Sequence, residues 1–455
     1  MFSLVKKIHF VGIGGSGMNG IAEVLHNLGY KISGSDAKDS SILERFRSFG
    51  IEIYIGHEAK NISDDVEVVV ISSAISGENP EVIFAKSRKI PVIPRAEMLA
   101  ELMRLKYSIL VAGTHGKTTT TSIISWLMHK LNLDPTIVIG GKLNDIGTGA
   151  KLGQGKFFVA EADESDGSFL KYNPIVAVLT NIDSDHLDYY GDMENLKKAF
   201  LSFIDKVPFY GFSVLCNDNA IVRELVQKTN RKCLTYGIEN ESDLMAKNIV
   251  IKDGFNTFDV YKKGVNLGKI ELPIPGKHNV LNTLAAISVL LELDIKFDDI
   301  AWKIKQFRGV GRRLEIKGSK NQILVIDDYG HHPTEMQASW NAVSDFWKDY
   351  KKYVIFQPHR FSRTKILAKE FAEVLAKMDN VLLLPIYPAG EKNVFDVDIN
   401  TILQFVPEEV KNKIKFFETK DDLNKYLDEN IDGTSLLLTL GAGDVYKIGE
   451  EYLRR

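Results

Sequence analysis

Cysteine is nearly missing from this chain: its 455 residues include two, Cys216 and Cys233, in no metal-ligand spacing. That excludes a disulfide framework and a cysteine-based zinc site, and it predicts a reducing, hence cytoplasmic, location. A charge excess is missing as well. Lys and Arg total 57 against 60 Asp and Glu, a net charge of −3, so no nucleic-acid partner is expected. A local basic pocket for a small anion remains compatible with that sum. No apolar run approaches the ~18 residues of a membrane span, and Met1–Val11 lacks the sustained apolar core of a signal peptide. Repeats and low-complexity tracts are absent too. What is present is an ordinary globular balance, 44% apolar and 26% charged, in a length that predicts about three domains.

A pattern does recur. Short β-rich runs such as Ile8–Val11, Ile109–Val111, Phe157–Ala160, Val176–Leu179, Leu324–Ile326 and Leu436–Leu440 each lead into a Gly- or His-bearing loop and then a helical period. Alternating strands and helices imply an α/β protein with parallel sheets covered on both faces, and loops at the strand carboxyl ends that bind ligands. Pro91–Pro94 and the following Arg95–Met98 read as a linker and closing helix, and Gly309–Arg313 as a hinge. The expected domains are 1–106, 107–311 and 312–455.

Residues 12–17, Gly-Ile-Gly-Gly-Ser-Gly, match G-x-G-x-x-G between a strand and an apolar helix. In that context the glycines let backbone N–H groups approach a diphosphate at a helix N-terminus, with Asp36, 19 residues past Gly17, near the end of the next strand. A nicotinamide dinucleotide and a nucleotide sugar would both satisfy this loop.

A second phosphate loop follows the run Tyr107–Ala112. Gly113-Thr114-His115-Gly116-Lys117-Thr118 ends as a P-loop does: Lys117 for β/γ oxygens, the Thr118 hydroxyl for Mg²⁺. The general motif wants a glycine at position 111, where this chain has Val111. Two more runs end in acids or histidine, Glu161-Ala162-Asp163-Glu164-Ser165-Asp166 and Thr180-Asn181-Ile182-Asp183-Ser184-Asp185-His186. In one parallel sheet these ends converge on one crevice, with Thr118, Glu161 and His186 as the expected metal ligands.

Together these segments resemble the Mur ligases, the ATP-dependent ligases that build the peptide stem of peptidoglycan. The resemblance extends from His9 to Asp444 through Gly276-Lys277-His278-Asn279, Gly311-Arg312-Arg313, Asp327–Glu335, Gln357–Thr364, Tyr387–Glu391 and Gly441–Asp444. It implies a Rossmann-like N-terminal domain for a UDP-sugar, a central P-loop ATPase-type domain, and a Rossmann-like C-terminal domain that closes and admits the amino acid. The segment His9–Met18 is most similar to the branch whose substrates are UDP-N-acetylmuramate and L-alanine. The cofactors implied are ATP and Mg²⁺, acting through an acyl phosphate in a monomer or weak homo-oligomer.

By the same resemblance, Gly14, Gly15, Ser16 and Gly17 hold the diphosphate, with Asp36, His57 and Ser73 on the nucleotide side. Gly113, Thr114, His115, Gly116, Lys117, Thr118, Thr119, His278, Asn279 and Arg313 serve ATP. Tyr329, His331, Arg360 and Arg363 surround the carboxylate and the incoming amino acid. Lys117, His186, His331 and Arg360 are the expected catalytic groups, His331 being a candidate base because imidazole titrates near neutral pH. Several sister ligases carry a carbamylated lysine 14 residues beyond the Asp-His pair; that position is Phe200 here, so no carbamylated lysine is expected. Two other readings are a ligase attaching a preformed peptide to the same sugar and, from the first loop alone, a nicotinamide-dependent dehydrogenase.

Overall fold

A computed structural model describes residues 5–72, 74–104, 106–141, 149–252, 255–394 and 396–455. The chain builds three sheets. The first is parallel, in the order β3-β2-β1-β4-β5, from β1 (Lys7–Val11), β2 (Lys31–Asp36), β3 (Glu52–Ile55), β4 (Val68–Ile71) and β5 (Val92–Pro94). Every residue of β1 is buried, as a central strand covered on both faces requires. Helices α1 (Ser16–Asn27), α2 (Ser41–Ser48), α3 (Pro80–Ser87) and α4 (Arg95–Met103) accompany it. Ser40 and Asn79 cap α2 and α3 with their side chains, whereas α1 starts on Gly15 with no side-chain cap. Strand order reverses between β1 and β4, the place where open parallel sheets bind ligands.

The central sheet has ten strands in the order β15-β14-β13-β12-β11-β10-β6-β9-β7-β8. They are β6 (Tyr107–Ala112), β7 (Thr136–Val138), β8 (Ala150–Lys151), β9 (Phe157–Glu161), β10 (Val176–Leu179), β11 (Phe212–Cys216), β12 (Cys233–Gly237), β13 (Leu244–Lys252), β14 (Phe255–Lys262) and β15 (Val265–Leu272). Helix α5 (Lys117–Lys130) is buried continuously from Thr118 to Met128, so it presents no exposed face over that stretch. The sheet is mixed rather than purely parallel. β8 runs antiparallel to β7, and β14 and β15 are joined by Lys263-Gly264 alone, a hairpin connection. The sequence reading names no strand over 244–272; within β15 only Ile270 and Leu272 are buried, so it offers no apolar run.

The third sheet, in the order β16-β17-β21-β18-β19-β20, comprises β16 (Glu315–Lys320), β17 (Ile323–Asp328), β18 (Lys351–Phe356), β19 (Asn380–Leu383), β20 (Ile414–Phe416) and β21 (Ser435–Leu440). β16 pairs antiparallel with β17 and the remaining pairs are parallel. Its two faces are covered by separate apolar clusters, around Trp340 and Phe371 on one side and Leu423 and Ile448 on the other.

By contact, the chain forms two compact units. One comprises Met1–Asn248, Phe258–Ile270 and Leu281–Phe307; the other comprises Ile249–Thr257, Glu271–Val280 and Arg308–Arg455. Inside the first unit one apolar cluster runs from Ile8 through Leu110 to Leu225, so the first two sheets share a core. Helix α1 lies directly on β8: a Cβ on Gly20 would stand 3.2 Å from the Ala150 Cβ. Among the described residues no helix is long and apolar enough to cross a membrane.

Candidate active site

The first glycine loop borders a cavity of about 810 Å³ lined by Gly12, Gly14, Gly15, Asp36, His57 and Ser72, among others. Asp36 reaches back into the loop, where its Oδ2 accepts the Gly14 N–H at 2.9 Å. It therefore shapes the glycine turn while still lining the cavity. Ser16 opens α1, and Ser73 lies outside the described residues. Arg95 packs against Gly17, where a Cβ would fall 3.0 Å from its Nη1, and its charge also acts on Asp163 of the central sheet. The sequence reading places Arg95 only at the start of the helix that closes the first domain. Nothing local marks it, because its neighbours arrive from α1 and from the loop after β9.

The second loop explains its own departure from the P-loop pattern. Val111 is a buried residue of β6, paired with Val178 on one side and Glu161 on the other, so the turn begins two residues later at Gly113. Gly113 has φ +128, and a Cβ there would fall 2.2 Å from Thr180 Oγ1. Gly116, at φ +83, caps α5 against Asn282. The loop is clamped to the residues after β10. His115 N donates to Asn181 Oδ1 at 2.8 Å, Thr180 Oγ1 donates to His115 O at 2.6 Å, and Asp183 N donates to Thr114 Oγ1 at 2.9 Å. Thr119 is buried just inside the helix.

At the head of α5 the expected residues meet. The Thr118 hydroxyl donates to Glu161 Oε2 at 3.0 Å, and the other oxygen of Glu161 accepts the Gly140 N–H at 2.8 Å. Lys117 Nζ donates to Gly113 O at 2.6 Å and to Glu164 Oε1 at 2.8 Å. Burial alone would lower Lys117, but the carboxylates of Glu164, Asp163 and Glu161 outweigh it and raise its pKa. Glu164, absent from the expected ligands, is the group beneath the lysine. Burial lifts its pKa to about 7 despite Lys117, and its Oε2 has no hydrogen-bond partner. His186, at φ +60 ahead of the short helix Leu187–Tyr190, brings Nε2 to 3.9 Å from Glu164 Oε1. Phe200 is fully buried and packs edge-on against Phe169 at 5.2 Å between centroids.

In the second unit Tyr329, His331, His359 and Tyr387 form a chain of rings. Tyr329 meets His331 edge-on at 5.3 Å, His331 lies 5.7 Å from His359, and His359 stacks on Tyr387 at 5.6 Å. His331 places Nδ1 3.1 Å from Tyr329 O. The near-neutral titration expected of it does not hold: burial first, then Arg363 and Arg313, push it down to about 4 against the pull of Glu335. His359, which sequence reasoning passed over inside Gln357–Thr364, is likewise near 4 through burial and the neighbouring His331, Arg363 and Arg360; its Nδ1 is buried without a partner. Arg360, at φ +72 and half exposed, stands 4.0 Å from Glu391, and Arg363 follows one turn later. Of the arginine pair, Arg312 is committed to structure: it bonds Asp327 and Gly441 O and lies over the rings of Tyr329 and Tyr446. Arg313 instead faces His278, whose pKa burial and this charge lower to about 4. The Asn279 amide donates to Pro275 O at 2.6 Å.

The histidines carry a stability consequence. A ring near 4 in the folded chain and near 6.5 when unfolded binds more protons unfolded across that interval, so stability is full above pH 6.5 and is lost as pH falls toward 4. The melting temperature should therefore fall between pH 7.5 and 5.0, and fall less in the His331→Gln/His359→Gln double variant. Identical pH slopes in the two proteins would remove these rings from the account.

The first unit carries a mostly parallel sheet with a P-loop lysine over buried acids, and the second carries a sheet bearing arginine and histidine. Comparison with known families agrees. The descriptions Mur ligase family, catalytic domain, Mur ligase middle domain, and Mur ligase, glutamate ligase domain match residues 7–107, 111–290 and 312–443, and the chain belongs to the Mur ligase family. It is 51% identical over 457 residues, 100% of both chains, to a UDP-N-acetylmuramate–L-alanine ligase of Trichlorobacter lovleyi. A protein of the same name from Geobacter sp. is 50% identical, with 100% of this chain and 98% of that one covered. A solved UDP-N-acetylmuramate–alanine ligase from Thermotoga maritima superposes with a TM-score of 0.85 at 28% identity, covering 99% of this chain and 98% of that one.

Proposed function

We propose that the chain joins L-alanine to the lactyl carboxylate of UDP-N-acetylmuramate, consuming ATP and releasing ADP and phosphate. The observation that carries this reading is the full-length likeness, at 51% and 50% identity, to relatives bearing that one name. The geometry supplies a role for each part. The cavity beside Gly12, Gly14 and Gly15 takes the nucleotide sugar. Lys117 meets the β/γ oxygens of ATP. The Thr118 hydroxyl and the Glu161 carboxylate, 3.0 Å apart, are hard oxygen donors that fit Mg²⁺, with His186 as a third group; the bound cation would supply positive charge beside the phosphates.

The carboxylate oxygen attacks the γ-phosphoryl group, and the bond to the ADP oxygen breaks, giving an acyl phosphate. Lys117 offsets the repulsion of the two anions in that step. The neutral amine of alanine then attacks the acyl carbon, the tetrahedral intermediate expels phosphate, and the proton leaving the nitrogen passes to the departing phosphate. Arg360 and Arg363 hold the amino acid's carboxylate. His331 and His359, both neutral at pH 7, accept hydrogen bonds from the amine; His331, near 4, is too weak a base to deprotonate an ammonium ion.

The test is phosphate release from ATP with UDP-N-acetylmuramate and a panel of acceptors. Release should require both the sugar nucleotide and an amino acid and be fastest with alanine. Release that needs no amino acid, or that is faster with a tripeptide, rules the reading out.

A further inference from the structure

Behind the nucleotide-sugar cavity lies a buried carboxylate to which the reaction gives no task. Glu81, in the first turn of α3, is fully buried. Its Oε2 accepts the Ser35 hydroxyl at 2.6 Å and stands 3.1 Å from His57 Nδ1. Its Oε1 accepts the Asn61 amide at 2.6 Å and lies 3.6 Å from Nε2 of the buried His9. Burial would raise this carboxyl, but His9, Ser35 and Asn61 outweigh it and hold its pKa below the ordinary value. Glu81 is thus a carboxylate at neutral pH, in a place where an unpaired one would be strongly disfavoured. Capping of α3 does not account for it, since the Asn79 side chain already serves that end.

The hydrogen-bond inventory fixes the proton on the His57 nitrogen that faces Glu81. Ser35 gives its only proton to Glu81, so toward His57 Nδ1, 3.0 Å away, it can act only as an acceptor. The carboxylate likewise only accepts. With two acceptors against it, Nδ1 must carry the proton, which leaves Nε2 at the opposite edge of the ring. His57 is one of the residues lining the cavity, beside Gly12 and Gly14, and its side chain is 20% exposed.

We propose that Glu81 is a positioning residue: it holds His57 as the Nδ1–H tautomer, so that the Nε2 lone pair accepts a hydroxyl or N–H of the nucleotide sugar. This rests on the assignment of the cavity to UDP-N-acetylmuramate. The arrangement parallels metal sites, where a carboxylate behind a histidine sets its tautomer and aims its other nitrogen.

A double-mutant cycle on the full chain, read as KM for UDP-N-acetylmuramate at saturating ATP and alanine, separates this role from simple support of the fold. Glu81→Gln should raise that KM roughly tenfold, the worth of one hydrogen bond to the ligand. Both kcat and KM for ATP should stay within about twofold of wild type. In the His57→Ala background Glu81→Gln should add nothing, because its effect passes through the ring. In ¹⁵N-histidine spectra, the resonance lost in His57→Ala should report an Nδ1-protonated ring in the wild type and a changed tautomer in Glu81→Gln. Equal losses in both backgrounds, or an unchanged tautomer, overturn the proposal. Should Glu81→Gln fail to fold, Ser35→Ala, which removes one of the two acceptors, must raise the same KM only when His57 is present. If the wild type binds no UDP-N-acetylmuramate by calorimetry, the cavity assignment itself falls; binding with an additive cycle sinks only the role of Glu81.

Discussion

Replacing Lys117 by Met should lower phosphate release by about a thousandfold or more while the protein stays folded. The size follows from the role proposed for the ammonium, a fixed positive charge beside the phosphates, since removing one such electrostatic group from a phosphoryl-transfer site costs that order of rate. The survival of the fold is less obvious. Lys117 sits against Glu164, and deleting one partner of a buried ion pair usually costs about 3–5 kcal/mol, because the other charge is stranded. Here burial has already brought Glu164 to about 7 with the lysine in place. Without Lys117 the carboxyl takes a proton at neutral pH, and little charge is left to strand. Lys117→Met should therefore melt within a few degrees of wild type, and Lys117→Met/Glu164→Gln should match it while remaining inactive. Wild-type phosphate release in Lys117→Met would contradict the role given to the lysine. Gross unfolding of that variant, reversed by Glu164→Gln, would show that the stranded carboxylate stays charged.

What could be read from the sequence is what lies close in sequence. The Gly12–Gly17 and Gly113–Thr118 loops each need a strand before them and a helix after, and both contexts are visible in about fifteen residues. Glu161 and His186 were reachable by one further step, since parallel strands deliver their carboxyl ends to one edge. Residues that act through contacts made by several elements stayed hidden. Glu81 draws partners from β1, β2 and the stretch after β3, so no spacing announces it. His359 was within a quoted motif, but its unpartnered Nδ1 and its place between His331 and Tyr387 exist only once two other loops arrive. The same limit explains the histidine titration. A motif gives imidazole its ordinary value, and it is burial among arginines that removes it from the neutral range.

Gly113→Ala should be the most damaging change of a single methyl group in the chain's phosphate loops, abolishing nucleotide binding and lowering the melting temperature by several degrees. Two separate causes act. At φ +128 an alanine is strained by about 1–3 kcal/mol whatever surrounds it. The new Cβ would also fall 2.2 Å from Thr180 Oγ1 and 2.9 Å from Asn181 O. The threonine cannot swing aside at no cost, because its hydroxyl donates to His115 O and so holds the crest of the loop. Relief must come from the backbone, and a shift there strains the bonds by which the His115 and Thr114 amides hold the loop to Asn181, and so moves the turn that would face the phosphates. Thr180→Ala separates the causes. Alone it should cost about 1 kcal/mol, one hydrogen bond. Combined with Gly113→Ala it should restore part of the lost melting temperature, by clearing the closest contact, but not ATP binding measured by calorimetry, since the strain and the Asn181 contact persist. Normal ATP affinity in Gly113→Ala would mean that the loop tolerates another turn at residue 113, and that the glycine is not what sets its path after Val111.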